Sequence, residues 1–243
     1  MDFFTNLVPL WVSILFLMVI PIPIFLIGRL AKQGALVLES SKPSPQRVFY
    51  AIVVFYFAYL IYVTIACLQG WFTQIGLPPR IMVITAIPLL FFLVAFIFNL
   101  SLTKRLLKSV SLSSLIGIHL FRLIGGFFLI MGLFGVVPQI FALSAGIGDL
   151  IAALTSIFVA SAVSNNKKYA KKLAFIWNTF GLLDILMTSF LAFWFTKASI
   201  ETGNLGVDVL TEFPFCFIPA FAPATIIFLH LCTYRKLLLY TSK

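Results

Sequence analysis

The sequence predicts an all-α integral membrane protein of seven spanning helices, and three observations carry that expectation. The 243 residues are 62% hydrophobic and only 10% charged, whereas a soluble domain keeps about 25% charged residues in its polar shell. Seven apolar runs reach the roughly 20 residues that a spanning helix needs. The basic residues, finally, gather in alternate connections between those runs.

The predicted spans are about 6–28, 48–69, 80–100, 114–136, 146–164, 173–196 and 214–234, forming one integral membrane domain over residues 1–243. The first is expected to be a retained helix. Met1-Asp2-Phe3-Phe4 has no basic n-region, and the run that follows is too long for a signal h-region. Seven is odd, so the termini face opposite sides. All 17 Lys and Arg residues except Arg80, Arg122 and Lys197 fall on one side, including Arg29, Lys32, Lys42, Arg47 and Lys243. Asp2, Glu201, Asp208 and Glu212 fall on the other side, with Glu39 among the basic loops. Cytoplasmic loops carry the excess of Lys and Arg, so the N-terminus is expected outside and the C-terminus in the cytoplasm. The same distribution accounts for the net charge of +10 without a nucleic-acid partner; the partner it implies is the lipid bilayer.

Within the spans, Pro21, Pro23, Pro88, Pro219 and Pro223 each withhold a backbone donor and can kink a helix. In the fifth, Ser144, Gly148, Ala152, Ser156, Ala160 and Ser164 recur at every fourth position, a spacing that lets a neighbour approach closely. Gly146-Ile147-Gly148-Asp149 reads as the opening of that helix, placing Asp149 near the outer face and apart from the other buried charges.

Charged groups in hydrocarbon are costly and mark candidate functional sites. The candidates are His119 and Arg122 in the fourth span, Asn178 and Asp184 in the sixth and His230 in the seventh. Measured from the basic ends at about 1.5 Å per residue, His119, Asn178 and His230 share one layer at roughly 8–9 Å, with Arg122 at roughly 12 Å and Asp184 at roughly 18 Å. An Arg122–Asp184 ion pair and a His119–Asn178 pair are within reach, and the niche is expected to open toward the cytoplasm. Such a niche would move or sense a small solute or a proton.

Two alternatives use the same residues. His119 and His230 could ligate a haem iron or share a metal with Asp184. Or the polar pairs could only fix helix register in a structural subunit. No catalytic residue is assigned. Two histidines are too few for a three-His zinc hydrolase site, and no Lys lies between Phe213 and Tyr234 for a retinal Schiff base. Cys67, Cys216 and Cys232 have neither disulfide nor zinc-site spacing. Phosphate-loop, dinucleotide and EF-hand motifs are absent from the sequence.

The segments His119-Leu120-Phe121-Arg122, Pro138-Gln139-Ile140-Phe141-Ala142, Ala145-Gly146-Ile147-Gly148-Asp149, Trp177-Asn178-Thr179-Phe180-Gly181-Leu182-Leu183-Asp184 and Ile218-Pro219-Ala220-Phe221 to His230 resemble bacterial multi-helix membrane proteins of uncharacterised function. The resemblance covers about residues 115–238. It implies a bacterial membrane location and brings no activity with it; the location expected for the protein is the bacterial inner (cytoplasmic) membrane.

Overall fold

The computed structural model describes residues 4–38, 44–73 and 76–239. Asp2, Glu39, Lys42 and Lys243, which entered the topology argument, lie outside the described residues. Among those described there is no strand, and seven helices are long and apolar enough to cross a membrane. The architecture is that of a polytopic membrane protein. The elements in chain order are α1 (Leu10–Leu36), α2 (Pro45–Leu68), α3 (Met82–Asn99), α4 (Ser101–Ser109), α5 (Leu112–Leu133), α6 (Gln139–Ser164), α7 (Ala170–Thr202) and α8 (Phe217–Leu239).

Two boundaries shift the reading of the site. α1 continues past the expected end, so Arg29 and Lys32 lie on its last turns rather than in a loop. α6 begins at Gln139, directly after Pro138, and not at 146. Proline fixes a φ suited to a helix start and has no donor to lose there, and here it starts the helix about two turns early. α4, read from the sequence as part of a loop, is a short amphipathic helix. Leu107 is buried on one face while Lys104, Arg105 and Lys108 are exposed on the other, the pattern of a helix lying along a membrane interface.

α3 departs from α-helical geometry around Pro88, with five-residue π segments at Met82–Ala86 and Phe92–Phe96. Pro88 has no N–H to give to the carbonyl of Ile84, and Tyr62 of α2 donates to that oxygen instead (2.9 Å). α5 also changes winding, running as a 3-10 helix from Ile118 to Gly125. Three residues per turn put His119, Arg122 and Gly125 in one line along the helix.

α6 packs along both α5 and α7, and α7 packs on α8. The small-residue stripe serves that packing through its middle. Ala152 is fully buried and its carbonyl accepts the indole N–H of Trp177 on α7 (3.1 Å), while Ser144 and Ser164 at the stripe's ends are exposed. Large side chains have no room at such a crossing. Ala152→Leu should therefore lower the stability of the detergent-solubilised protein by about 1–3 kcal/mol through overpacking, read from the midpoint of denaturant unfolding. The outward-facing Leu154→Ala, at a position half-exposed on the same helix, should shift that midpoint little.

Candidate functional site

Arg122 is the largest fully buried side chain of the molecule, 1% exposed. It enters from the 3-10 stretch of α5, about ten residues inside the span from either end. A guanidinium offers five N–H donors and cannot shed its charge, so burial there demands acceptors from the surrounding helices. α6 supplies Asp149, whose Oδ1 accepts from Nε at 2.7 Å. α7 supplies two, since Oδ2 of Asp184 accepts from Nη2 and the carbonyl of Gly181 accepts from Nη1 at 3.0 Å. α8 supplies His230, whose Nε2 lies 3.3 Å from Nη1.

That last bond fixes a tautomer. Arginine donates and has no lone pair, so Nε2 of His230 accepts and the ring proton sits on Nδ1. Nδ1 then donates to Oδ1 of Asn178 (2.8 Å), and Nδ2 of Asn178 donates back to the His230 carbonyl (3.2 Å). The donors and acceptors are mutually consistent around the ring.

Glycine makes the approach possible. A Cβ added at Gly125 would collide with the Asp149 carboxylate, and one at Gly148 with that of Asp184. At Gly181 it would lie 2.6 Å from Cε1 of His230 and 3.1 Å from Nη1 of Arg122. Three helices thus bare their backbone so that charged groups of their neighbours can lie against it.

The structure brings Arg122, Asp184, Asn178, His230 and His119 into one cluster. It differs from the sequence reading in four respects. Asp149 belongs to the cluster. With α6 starting at Gln139 it lies roughly 15 Å inside the helix, not at its outer end. Asn178 pairs with His230 rather than with His119. Among the described residues neither ring nitrogen of His119 has a hydrogen-bond partner; its ring lies on that of His230, centroids 4.3 Å apart, and edge-on to Trp177 at 5.2 Å.

That stacking is the third difference, since it does not fit a haem held between the two histidines. Axial ligation puts the macrocycle between the rings, and rings 4.3 Å apart leave no such space. Both nitrogens of His230 are also engaged, and among the described residues no group of three or more His, Cys, Asp or Glu is placed to hold a metal ion.

The fourth concerns access. A cavity of about 80 Å³ reaches Arg122 and Asp149 from the N-terminal side of the bundle, between Phe141 near the start of α6, Leu210 and Ile218. No residue of the basic loops lines it. Met82, Ala192, Leu210 and Pro219 line both this cavity and a wider vestibule of about 460 Å³ beyond it, where Arg80, Asp208 and Glu212 also lie.

Sequence reasoning passed over Gly125 and read Gly148 as part of the packing stripe and of a helix opening, not as room for a carboxylate. Pro138, a standard helix-start signal, would have moved Asp149 inward. Gly125→Ala should destabilise the protein by about 1–3 kcal/mol, because the added Cβ overpacks against the Asp149 side chain and the backbone of two helices must part. Gly126→Ala, where an added Cβ meets nothing within 4 Å, should change stability by less than about 1 kcal/mol. Chemical unfolding of the two variants in detergent reads the difference, and equal losses would contradict the geometry described.

Residues 77–238 match a family described as Domain of unknown function (DUF8737), a stretch that takes in α3 to α8 and every residue of the cluster. No curated protein and no solved structure matches the chain.

Proposed function

The chain belongs to the DUF8737 family, and we propose that its Arg122 cluster is a mid-membrane station that takes up and releases one positive charge, through which the protein moves or senses a proton or a small solute. One observation carries this reading: two carboxylates, Asp149 and Asp184, close on a single guanidinium. Ionised together they leave the cluster with one net negative charge. An uncompensated charge buried at that depth is strongly unfavourable. A proton or another monocation restores neutrality, and the 80 Å³ cavity gives it a way in to Asp149.

The histidines extend the set toward the other side. From Arg122 the ring of His230 leads to Asn178 and to the stacked ring of His119, each closer to the basic ends of their helices. A proton leaving the carboxylates toward the basic loops meets these groups in that order. Where Lys and Arg mark the cytoplasm, the cavity faces outward and the histidines inward. This orientation, with an external N-terminus and a bacterial cytoplasmic membrane as the location, is part of the proposal.

The test is proton flux in liposomes containing the purified protein, followed with an entrapped pH dye after an acid pulse with the potential clamped. The wild-type protein should dissipate the gradient, and Asp149→Asn and Asp184→Asn should each slow it by about tenfold or more, since either substitution makes the cluster neutral without a proton. Lys197→Gln, which touches only an exposed helical pair with Glu201, should leave the rate unchanged. Equal flux in the wild type and both Asn variants would overturn the reading.

A further inference from the structure

The cavity beside Asp149 has walls that a proton does not need. Five phenylalanines from four helices line it: Phe16 of α1, Phe121 and Phe128 of α5, Phe141 of α6 and Phe221 of α8. Phe128 and Phe141 meet edge to face at 5.3 Å, and Phe16, Phe141 and Phe221 are themselves buried to 2% exposure or less. At the floor stand Arg122 and Asp149. The Arg122 side chain is fully buried, but about a tenth of the Asp149 side chain is exposed. The space is therefore apolar and aromatic around its sides, with negative charge at one end.

We infer that this cavity, whose volume of about 80 Å³ admits a molecule of the size of methylammonium, is a binding site for a small organic monocation, which exchanges with the proton held by the Asp149–Asp184 pair. The inference rests on the proton reading above and adds the substrate class and the coupling. Aromatic faces attract a cation, and the attraction grows when water is excluded. A small inorganic cation would lose its hydration shell to walls that offer nothing in return. An anion would meet the Asp149 carboxylate, and the guanidinium that might attract it already donates to Asp149, Asp184, Gly181 and His230. The vestibule, with Asp208 and Glu212 beside Arg80, is the approach such a cation would take.

Exchange follows from charge. The proton-loaded cluster and the cation-loaded cluster are both neutral, so one cation enters as one proton leaves and no charge accumulates at that depth. The charged and titratable groups facing Asp149 are Arg122 on α5 and Asp184 on α7, with His230 on α8 behind Arg122. The pH response thus belongs to the set and not to Asp149 alone. Binding weakens as pH falls, because protons compete for the same charge position.

Three probes of similar size separate the possibilities: methylammonium, the neutral methanol and the anion formate. Each is added to the detergent-purified wild-type protein, with binding followed by calorimetry and proton release by an indicator dye in weak buffer. Methylammonium should bind with release of up to one proton per chain, methanol about tenfold more weakly, and formate not measurably. Asp149→Asn and Asp184→Asn should each weaken the cation by about tenfold, and Phe128→Leu, which keeps every charge, by about threefold. Size-exclusion profiles identify any variant that does not fold. Equal binding of cation and methanol, or unchanged cation binding in both Asn variants, overturns the inference. Proton flux in liposomes together with no cation binding overturns it while leaving the proton reading in place. Cation binding without proton release removes the exchange.

Discussion

A guanidinium that can neither ionise away nor reach water from the middle of a span is the constraint around which the helices are arranged. Arg122 takes acceptors from α6, α7 and α8 while itself standing on α5. A helix that moved away would leave a donor unsatisfied in a medium that cannot replace the bond. Packing alone would permit many rotations of four apolar helices, because lipid chains are as good a neighbour as leucine. The Arg122 bonds permit one. The glycines belong to the same constraint, since Gly125, Gly148 and Gly181 occur where a charged group from the next helix must lie against the backbone.

The local winding of α5 has the same origin. An α-helical stretch would rotate His119, Arg122 and Gly125 by about 60° away from one another at each three-residue step. The 3-10 geometry from Ile118 to Gly125 aligns them, so one face presents the stacked ring, the guanidinium and the bare backbone together. A run of that length is uncommon, and here it has a geometric reason. Pro219 and Pro223 stand on α8 beside the cavity, where Pro223 has no N–H to give to the Pro219 carbonyl, and the Tyr59 hydroxyl donates to the carbonyl of Ala220 (3.0 Å).

Much of this was legible in the residues. Apolar runs identify spans because lipid demands them, and Arg122, Asp184, Asn178 and His230 stand out because polar residues are rare there. The depth layering of His119 and His230 could be read from a constant helical rise. What escaped has physical causes. Asp149 was misplaced because its depth depends on where α6 begins, and Gly146 and Gly148 imitate a helix start that Pro138 provides seven residues earlier. The identity of the Asn178 partner turns on side-chain direction, which spacing does not encode. The cavity and the need for Gly125 are tertiary facts: each exists only once a residue on another helix is in place.

The Arg122 cluster holds two carboxylates where a single one would balance its charge. A double-mutant cycle on Asp149 and Asp184, read from the unfolding midpoint of the purified protein, tests that most directly. On this account Asp149→Asn or Asp184→Asn alone leaves the midpoint close to the wild-type value, because one carboxylate still neutralises Arg122. The double Asn variant lowers it steeply, because the guanidinium is then buried without a counter-charge. If each single substitution costs about half of what the double costs, the two carboxylates act independently, and the cluster is a pair of ordinary salt bridges with no exchangeable charge.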